Sequence, residues 1–293
     1  MSLFELQKQK ALEPEELLPR RLKPQASATS AVAETFDFTV PTDHFIHSIL
    51  IAIGESTGTT KEEAGTLADD LTDILLCLNG NNFLKVMTAE MCKAISILNK
   101  NVMSTGYYML YFTDPKIPQA KPIPAWLFSS ITLTLKDNAP AVSNYHHIHA
   151  TVFQSKRHDI SGDWQLLTEK FLRYKHYGTD EGWMDYDHER AYNVLGYLYA
   201  MDDDGTLSDT IFDKLRVISQ SSAGELRPFE EAYIPHLQEQ DKVEYQSALP
   251  TGLVSVEFPA GLPSHKYSSL TSQLNIPTAG TNAGLRVLER YCH

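Results

Sequence analysis

Between Pro41 and Asn99, apolar residues recur every three or four positions, and this spacing limits the possible folds more than any other feature of the chain. Such a period places the apolar side chains along one face of an α-helix. Thr42 can cap the start of the first helix, and Gly54 can end it. The residues that would form its buried face are Phe45, Ile46, Ile49, Leu50 and Ile53.

Two more helices are predicted immediately after the first. Thr60 and Glu63 have the spacing of a capping box, in which two side chains satisfy backbone N–H groups at a helix start. The helix that they open has apolar residues through Leu78, and the next helix spans Asn82 to Asn99. Short connections between consecutive helices favour antiparallel packing.

The middle of the chain has a different pattern. Four prolines from Pro115 to Pro124 predict an extended crossover. Ile131–Leu135 alternates between apolar and polar residues like a β-strand, and Tyr145–Phe153 predicts a second strand. Helical spacing then returns, and it predicts further helices near 163–171, 187–198, 228–245 and 281–291.

These patterns together predict a mainly α fold. We expect a multi-helix globular domain with a few short strands mid-chain and near the C-terminus, and a flexible N-terminal arm. The predicted regions are the arm (1–35), a helical core region (36–113), a Pro-rich crossover with short strands (114–160), and a helical region with a mixed C-terminal tail (161–293).

The first 35 residues are too polar and Pro-rich to bury enough apolar surface to become ordered alone. Arg20, Arg21 and Lys23 cluster within this arm, which makes them candidates for contact with RNA or with a neighbouring subunit. An ordinary disordered N-terminus is the alternative.

Composition excludes several classes of function. The formal net charge of −12 argues against a broad basic surface for nucleic acid. No apolar run approaches the length of a membrane span, and the N-terminus has no apolar signal segment. Three cysteines without metal-ligand or redox spacing predict a reducing compartment. We therefore expect neither secretion nor a membrane partner.

A short acidic motif resembles the first motif of haloacid-dehalogenase-like phosphatases. In that family the position of Asp202 would be the nucleophile, the position of Asp204 the general acid/base, and a magnesium ion would bind the phosphate. The acidic pair that completes the metal site has no counterpart further along the chain. A turn at Asp202–Gly205 followed by a helix capped by Ser208 is the simpler interpretation.

The other polar clusters also lack a complete chemical motif. On a strand, His147 and His149 would share a face and could bind zinc with Asp185, Asp187 or His188. The chain contains none of the common metal, nucleotide or nucleophile motifs. We therefore predict no catalytic residue, no cofactor and no metal, and we expect that the protein is not an enzyme.

Several segments resemble a known class of structural protein: Phe36–Pro41 followed by Asp43–Leu50, and Pro124–Ser130 followed by Lys136–Pro140. With the arm, they are similar to coat or nucleocapsid subunits of small plant and fungal RNA viruses, especially the mostly helical, partitivirus-like shell proteins. The resemblance implies a subunit that assembles with itself around RNA without sequence-specific recognition, in the virion or the host cytoplasm. A helical adaptor for protein partners and a phosphatase-like or metal-dependent hydrolase are the alternatives.

Overall fold

Strands, not helices, form most of this protein. The computed structural model describes residues 17–24, 29–30, 32–56, 66–67, 70–114, 120–140, 144–157, 160, 164–179, 181–190, 193–221, 224–278 and 282–292. Over those ranges it has twenty-one strands and two α-helices. The prediction of a mainly α fold is therefore wrong, and the chain is a jelly-roll-like β sandwich.

The N-terminal half contains twelve of the described strands and the first helix. Their bounds are β1 (Leu18–Arg21), β2 (Lys23–Pro24), β3 (Thr29–Ser30), β4 (Thr35–Thr39), β5 (Phe45–Ser56), β6 (Thr66–Leu67), β7 (Leu71–Leu78), β8 (Asn82–Thr88), α1 (Ala89–Leu98), β9 (Tyr107–Tyr111), β10 (Ile123–Pro124), β11 (Ile131–Asp137) and β12 (Tyr145–Ser155).

The C-terminal half contains the remaining described strands and the second helix. Their bounds are β13 (Leu167–Gly178), β14 (Gly182–Asp187), β15 (Asn193–Asp203), β16 (Thr206–Leu207), β17 (Lys214–Ser221), β18 (Gly224–Tyr233), α2 (Ile234–Tyr245), β19 (Leu253–Pro263), β20 (Ser269–Ile276) and β21 (Ala283–Cys292).

One ten-stranded sheet runs through both halves. Its main path is β16-β15-β21-β13-β8-β7-β11-β4-β2, and β19 pairs with β15 beside it. The halves meet where β8 and β13 pair in parallel, with Lys85 opposite Glu169 and Val86 opposite Lys170. The two halves are therefore hydrogen-bonded to each other through their backbones.

A second sheet packs on each half of this long sheet, so that each half is a sandwich. In the N-terminal half it is a seven-stranded sheet built around β12 and β5, and in the C-terminal half it is the four-stranded sheet β14-β20-β17-β18. Each sandwich has its own apolar core, the first containing Ile51, Leu76 and Met91, the second Val217 and Leu285. Burial of alternate side chains between facing sheets stabilises this arrangement.

The helix predicted after Thr42 is strand β5 instead, and a β-bulge explains the misleading spacing. Phe153 of β12 lies opposite Ser48, but the next residue, Gln154, lies opposite Ile46, so His47 is an extra residue in β5. The bulge interrupts the two-residue alternation of buried side chains. The resulting pattern of apolar residues imitates the period of a helix.

Other predictions had mixed outcomes. The strands at Ile131–Leu135 and Tyr145–Phe153 are confirmed as β11 and β12. The helices predicted through Leu78 and near 163–171, 187–198 and 281–291 are wrong, because most described residues of these stretches lie in β7, β13, β15 and β21. Helix is present in only part of two predicted stretches, as α1 and α2. The capping box at Thr60 and Glu63 lies outside the described residues, as does the arm before residue 17.

Candidate functional site

A buried cluster of charged side chains lies where the two halves meet. Arg290 on β21 is its centre, and its guanidinium donates to Glu169 Oε1 at 3.1 Å, to Asp114 Oδ2 at 2.7 Å and to Glu257 Oε1 at 3.2 Å. Lys85 on β8 donates to Glu169 Oε2 at 2.7 Å. Lys85 and Asp114 come from the N-terminal half and the other three from the C-terminal half, so the cluster ties the halves together.

In this cluster, burial and the neighbouring carboxylates shift the pKa values of the two cations in opposite directions. Burial alone would lower the pKa of Arg290, but the carboxylates of Glu169, Asp114 and Glu257 raise that pKa above its ordinary value. The pKa of Lys85 is lowered by burial, although Glu169 partly opposes the shift. A buried charge is tolerated only when it is paired and hydrogen-bonded. The cluster therefore stabilises one arrangement of the two halves and opposes others.

A serine, a histidine and a glutamate form a hydrogen-bonded chain inside the C-terminal sandwich. His188 Nδ1 lies 2.8 Å from Glu289 Oε1, and His188 Nε2 lies 2.6 Å from Ser272 Oγ. Burial lowers the pKa of His188, which favours the neutral ring. A neutral ring that donates from Nδ1 to the carboxylate can accept at Nε2 from the serine hydroxyl, and this is the order of groups in a nucleophilic triad.

Burial prevents this triad from meeting a substrate. Ser272 is 0% exposed, and the Tyr199 hydroxyl lies 2.6 Å from Ser272 Oγ on another side. The ring of His188 stacks on Tyr197 with centroids 3.9 Å apart. In this structure the three residues therefore connect strands of the core. The sequence patterns missed the group, because its members are brought together only by strand pairing and have no characteristic spacing.

Asp202 is also buried and hydrogen-bonded to other residues of the fold. Its Oδ1 accepts from Gly205 N at 2.8 Å and from the Tyr174 hydroxyl at 2.9 Å, and the residue is 0% exposed. Asp204 and Gly205 both have positive φ, at 50° and 84°, in the two-residue turn between β15 and β16. That is a hairpin turn favoured by Asp-Gly. The turn is confirmed, whereas the helix after Ser208 is wrong because β17 follows.

In the histidine cluster of β12, the ring of His146 is hydrogen-bonded to carboxylates of the protein itself. His147 and His149 lie on strand β12 as expected, but His146 is the most deeply buried of the three. Its Nδ1 lies 2.7 Å from Asp137 Oδ2 and its Nε2 lies 3.1 Å from Asp70 Oδ2. Both ring nitrogens are thus occupied. In the described ranges, no group of three or more ligating side chains is arranged to hold a metal ion.

The cations predicted for intermolecular contact lie on strands β1 and β2. Arg20, Arg21 and Lys23 are all exposed. Arg20 lies 3.5 Å from Asp43 in an ion pair exposed at both ends, and Arg21 contacts the ring of His149. β1 is the outer strand of its sheet path and pairs with β12. Arg20 and Arg21 are consecutive on β1 and so point to opposite faces of their sheet, while Lys23 lies on β2 at the edge of the ten-stranded sheet. Their role in binding stays a prediction.

The described part of the chain contains no helix of the length and hydropathy required to cross a membrane. No protein-family model matches the chain, and no curated protein does. Its fold, in contrast, is shared with solved structures, among them several from viral capsids.

Three of these structures cover nearly the whole chain. A chain of the Sulfolobus Turreted Icosahedral Virus is 14% identical, with a TM-score of 0.71 over 94% of this chain and 90% of the other. The major capsid protein P2 from bacteriophage PM2 is 10% identical, with a TM-score of 0.65 over 95% and 98%. A chain of the PBCV-1 virus capsid is 11% identical, with a TM-score of 0.62 over 95% and 94%.

These matches correct the resemblance found in the sequence. The shared fold is one found in viral shell proteins, and it is not the partitivirus-like type, because that type is mostly helical and this chain is mostly β. Coverage of more than nine-tenths means that both sandwiches, and not one alone, have counterparts. The chain thus has the fold of viral major capsid proteins of the double jelly-roll type.

Proposed function

We propose that this protein is a capsid subunit that assembles with copies of itself into the shell of a virus particle. The observation that supports this proposal most directly is the shared fold over nearly the full length of both chains. A fold alone does not determine a function, but here every matched structure cited above is a capsid or virus structure, and the internal features agree.

The joint between the halves supports the same function. Subunits of a shell repeat the same contacts and so need one fixed shape. A hinge between the two halves would allow that shape to vary. The continuous ten-stranded sheet and the five-residue charged cluster around Arg290 connect the halves by backbone and side-chain bonds. The buried Ser272 and the engaged Asp202 do not favour a hydrolase.

Enclosure of a nucleic acid follows from the proposed role. The chain has a net charge of −12, so a genome would be held by confinement and by a few local cations more than by a broad basic surface. RNA as the enclosed genome, and a location in the virion or host cytoplasm, remain parts of this proposal.

The decisive experiment is assembly of the purified protein. Light scattering after size-exclusion chromatography, together with electron microscopy, should find regular oligomers or particles whose formation depends on protein concentration. Nuclease-treated particles should then be extracted and tested for protected RNA and DNA. A protein that stays monomeric at every concentration, salt and pH tested would contradict the proposal.

A further inference from the structure

The two helices differ in how they are covered. Helix α1 follows β8, which lies inside the ten-stranded sheet, and α2 follows β18, the end strand of the four-stranded sheet. Eight of the ten residues of α1 are buried, against four of the twelve in α2. On α2, Val243 is 78% exposed, the highest value among the large apolar side chains of the described residues. The outer side of α2 is therefore an open surface within one chain.

This surface includes a shallow depression that is open to solvent. It lies on the outer side of α2 and is lined by His236, Glu239, Gln240, Val243 and Glu244. A smaller one of about 310 Å³ lies between α2, β18 and β19, with Phe229 and Leu237 in its lining. We call the two together the α2 groove. Its lining combines the exposed Val243 and the partly buried Phe229 with carboxylates.

The charge of the α2 groove specifies the kind of partner. Residues 225–244, which form most of β18 and α2, contain six carboxylates and two cations. Asp241 is buried, and Glu231 pairs with Lys214 and Arg216 of β17. The exposed excess therefore comes from Glu225, Glu230, Glu239 and Glu244 against Arg227 and Lys242. Tyr233, half-exposed, and Val243 add apolar surface to the same region. A partner that fits must therefore bring positive charge and at least one apolar side chain, and a nucleic acid would be repelled.

The chain itself has a surface with these properties. We call residues 17–23 the basic strip. It contains Arg20, Arg21 and Lys23 without any acidic residue, and Leu17 at its start is 45% exposed. The ion pair of Arg20 with Asp43 is exposed at both ends, so exchanging it for an intermolecular pair costs little.

We propose that the α2 groove of one copy binds the basic strip of a second copy. The inference rests on the proposed function, because it assigns one of the contacts through which capsid subunits would assemble. Since the strip and the groove are different surfaces, the contact is heterologous, and such contacts generate rings or extended arrays instead of stopping at a two-fold dimer. Charge complementarity would also speed association and suppress wrong pairings.

Cysteine pairing between two populations tests the contact directly. One population carries Leu17→Cys and the other Val243→Cys, and the three native cysteines are buried. Under mild oxidation we expect a disulfide-linked heterodimer. Val102→Cys, at another exposed valine (64% exposed), replaces Val243→Cys in the control and should give at least tenfold less product. Equal yields for the two valines would overturn the proposal.

Charge reversal tests the same contact in assembly. Glu239→Lys with Glu230→Lys, or Arg20→Glu with Lys23→Glu, should each weaken self-association about tenfold or more, and the four changes together should restore it. Glu181→Lys, at an exposed site directly before β14, outside the groove lining and the basic strip, is the control. Assembly unchanged by both double reversals, or a loss of bound RNA alone, would overturn the contact but leave the capsid proposal standing. A wild-type protein that never self-associates would instead contradict the capsid proposal itself.

Discussion

Lys85 Nζ donates a 2.7 Å hydrogen bond to Glu169 Oε2 across strands that are 84 residues apart in sequence and belong to different halves of the protein. Neither side chain reaches solvent, at 0% and 1% exposure. The bond thus links the two sandwiches. If either residue is replaced, water cannot reach the charge of the other. Its removal is the most direct test of whether the halves behave as one unit.

We expect Lys85→Met to lower the free energy of unfolding by about 3 kcal/mol, because it leaves Glu169 buried with one cation fewer. Lys136→Met is the matched control, since Lys136 pairs with Asp73 at 3.8 Å on the surface. It should cost less than about 1 kcal/mol. Urea denaturation measures both. Equal costs for the two variants would show that the buried pair does not hold the halves together.

Protonation of Asp241 on α2 should make the free energy of unfolding depend on pH. Burial raises the pKa of Asp241 to about 6, against an ordinary value of 3.8, although Ser255 donates to both of its oxygens. Between these two values the folded protein holds the proton more tightly than the unfolded chain does. Stability from this group is therefore present at low pH and is lost as pH rises through about 6.

The variant Asp241→Asn removes this titration. Its free energy of unfolding minus that of wild type should increase as the pH rises from about 4 to 7, because only the wild type loses stability over that range. Urea denaturation at each pH measures the difference. Asp203→Asn, near the tip of the β15–β16 hairpin, provides the comparison for general effects of a lost carboxylate. A difference between Asp241→Asn and wild type that stays constant with pH would mean that Asp241 is not protonated in the folded state.

For Asp202, we expect a structural effect and no catalytic effect. Asp202→Asn should lower the free energy of unfolding by about 1–2 kcal/mol, because the carboxylate accepts from Gly205 and Tyr174 and faces Arg286 at 3.7 Å. Thermal denaturation measures this loss. Turnover of a generic phosphate ester with magnesium should not differ between the variant and wild type. A magnesium-dependent activity that the variant abolishes would revive the phosphatase interpretation.

His146 should contribute to stability without binding metal. His146→Ala should lower the free energy of unfolding by about 2–3 kcal/mol, since it leaves the buried Asp137 carboxylate without the ring that bonds its Oδ2. His149→Ala, on the more exposed part of the same strand, should cost less. Elemental analysis of the purified protein should find well below one equivalent of zinc. Stoichiometric zinc that is lost in His147→Ala would contradict this expectation.

The sequence could identify some strands and turns but not the sheets. β11 alternates cleanly, and the Asp-Gly hairpin turn has a local chemical signature, so both were predictable. β15 was not, because nine consecutive residues of this central strand are buried, and without alternation it resembles a buried helix. Bulges in β5 and near Thr72 on β7 interrupt the alternation, so that the apolar spacing of these strands also resembles that of a helix.

The buried clusters could not be predicted from the sequence either. Arg290 and its partners come from four strands or their ends, and each is an ordinary charged residue in its local sequence. The same is true of His188, whose neighbours Ser272 and Glu289 lie 84 and 101 residues away. Only strand pairing brings such groups together. Exposed clusters that are contiguous in sequence, such as Arg20, Arg21 and Lys23, are the kind of site that a single sequence can suggest.

The parallel pairing of β8 with β13 also determines what a fragment of this protein would do. If the chain were cut between the two sandwiches, each of these strands would become a bare edge with unsatisfied backbone N–H and C=O groups. Such an edge is a template for pairing with any other extended chain. Half of the protein, expressed alone, should therefore tend to aggregate. In the intact chain, the strand edge of each half is paired with the strand edge of the other.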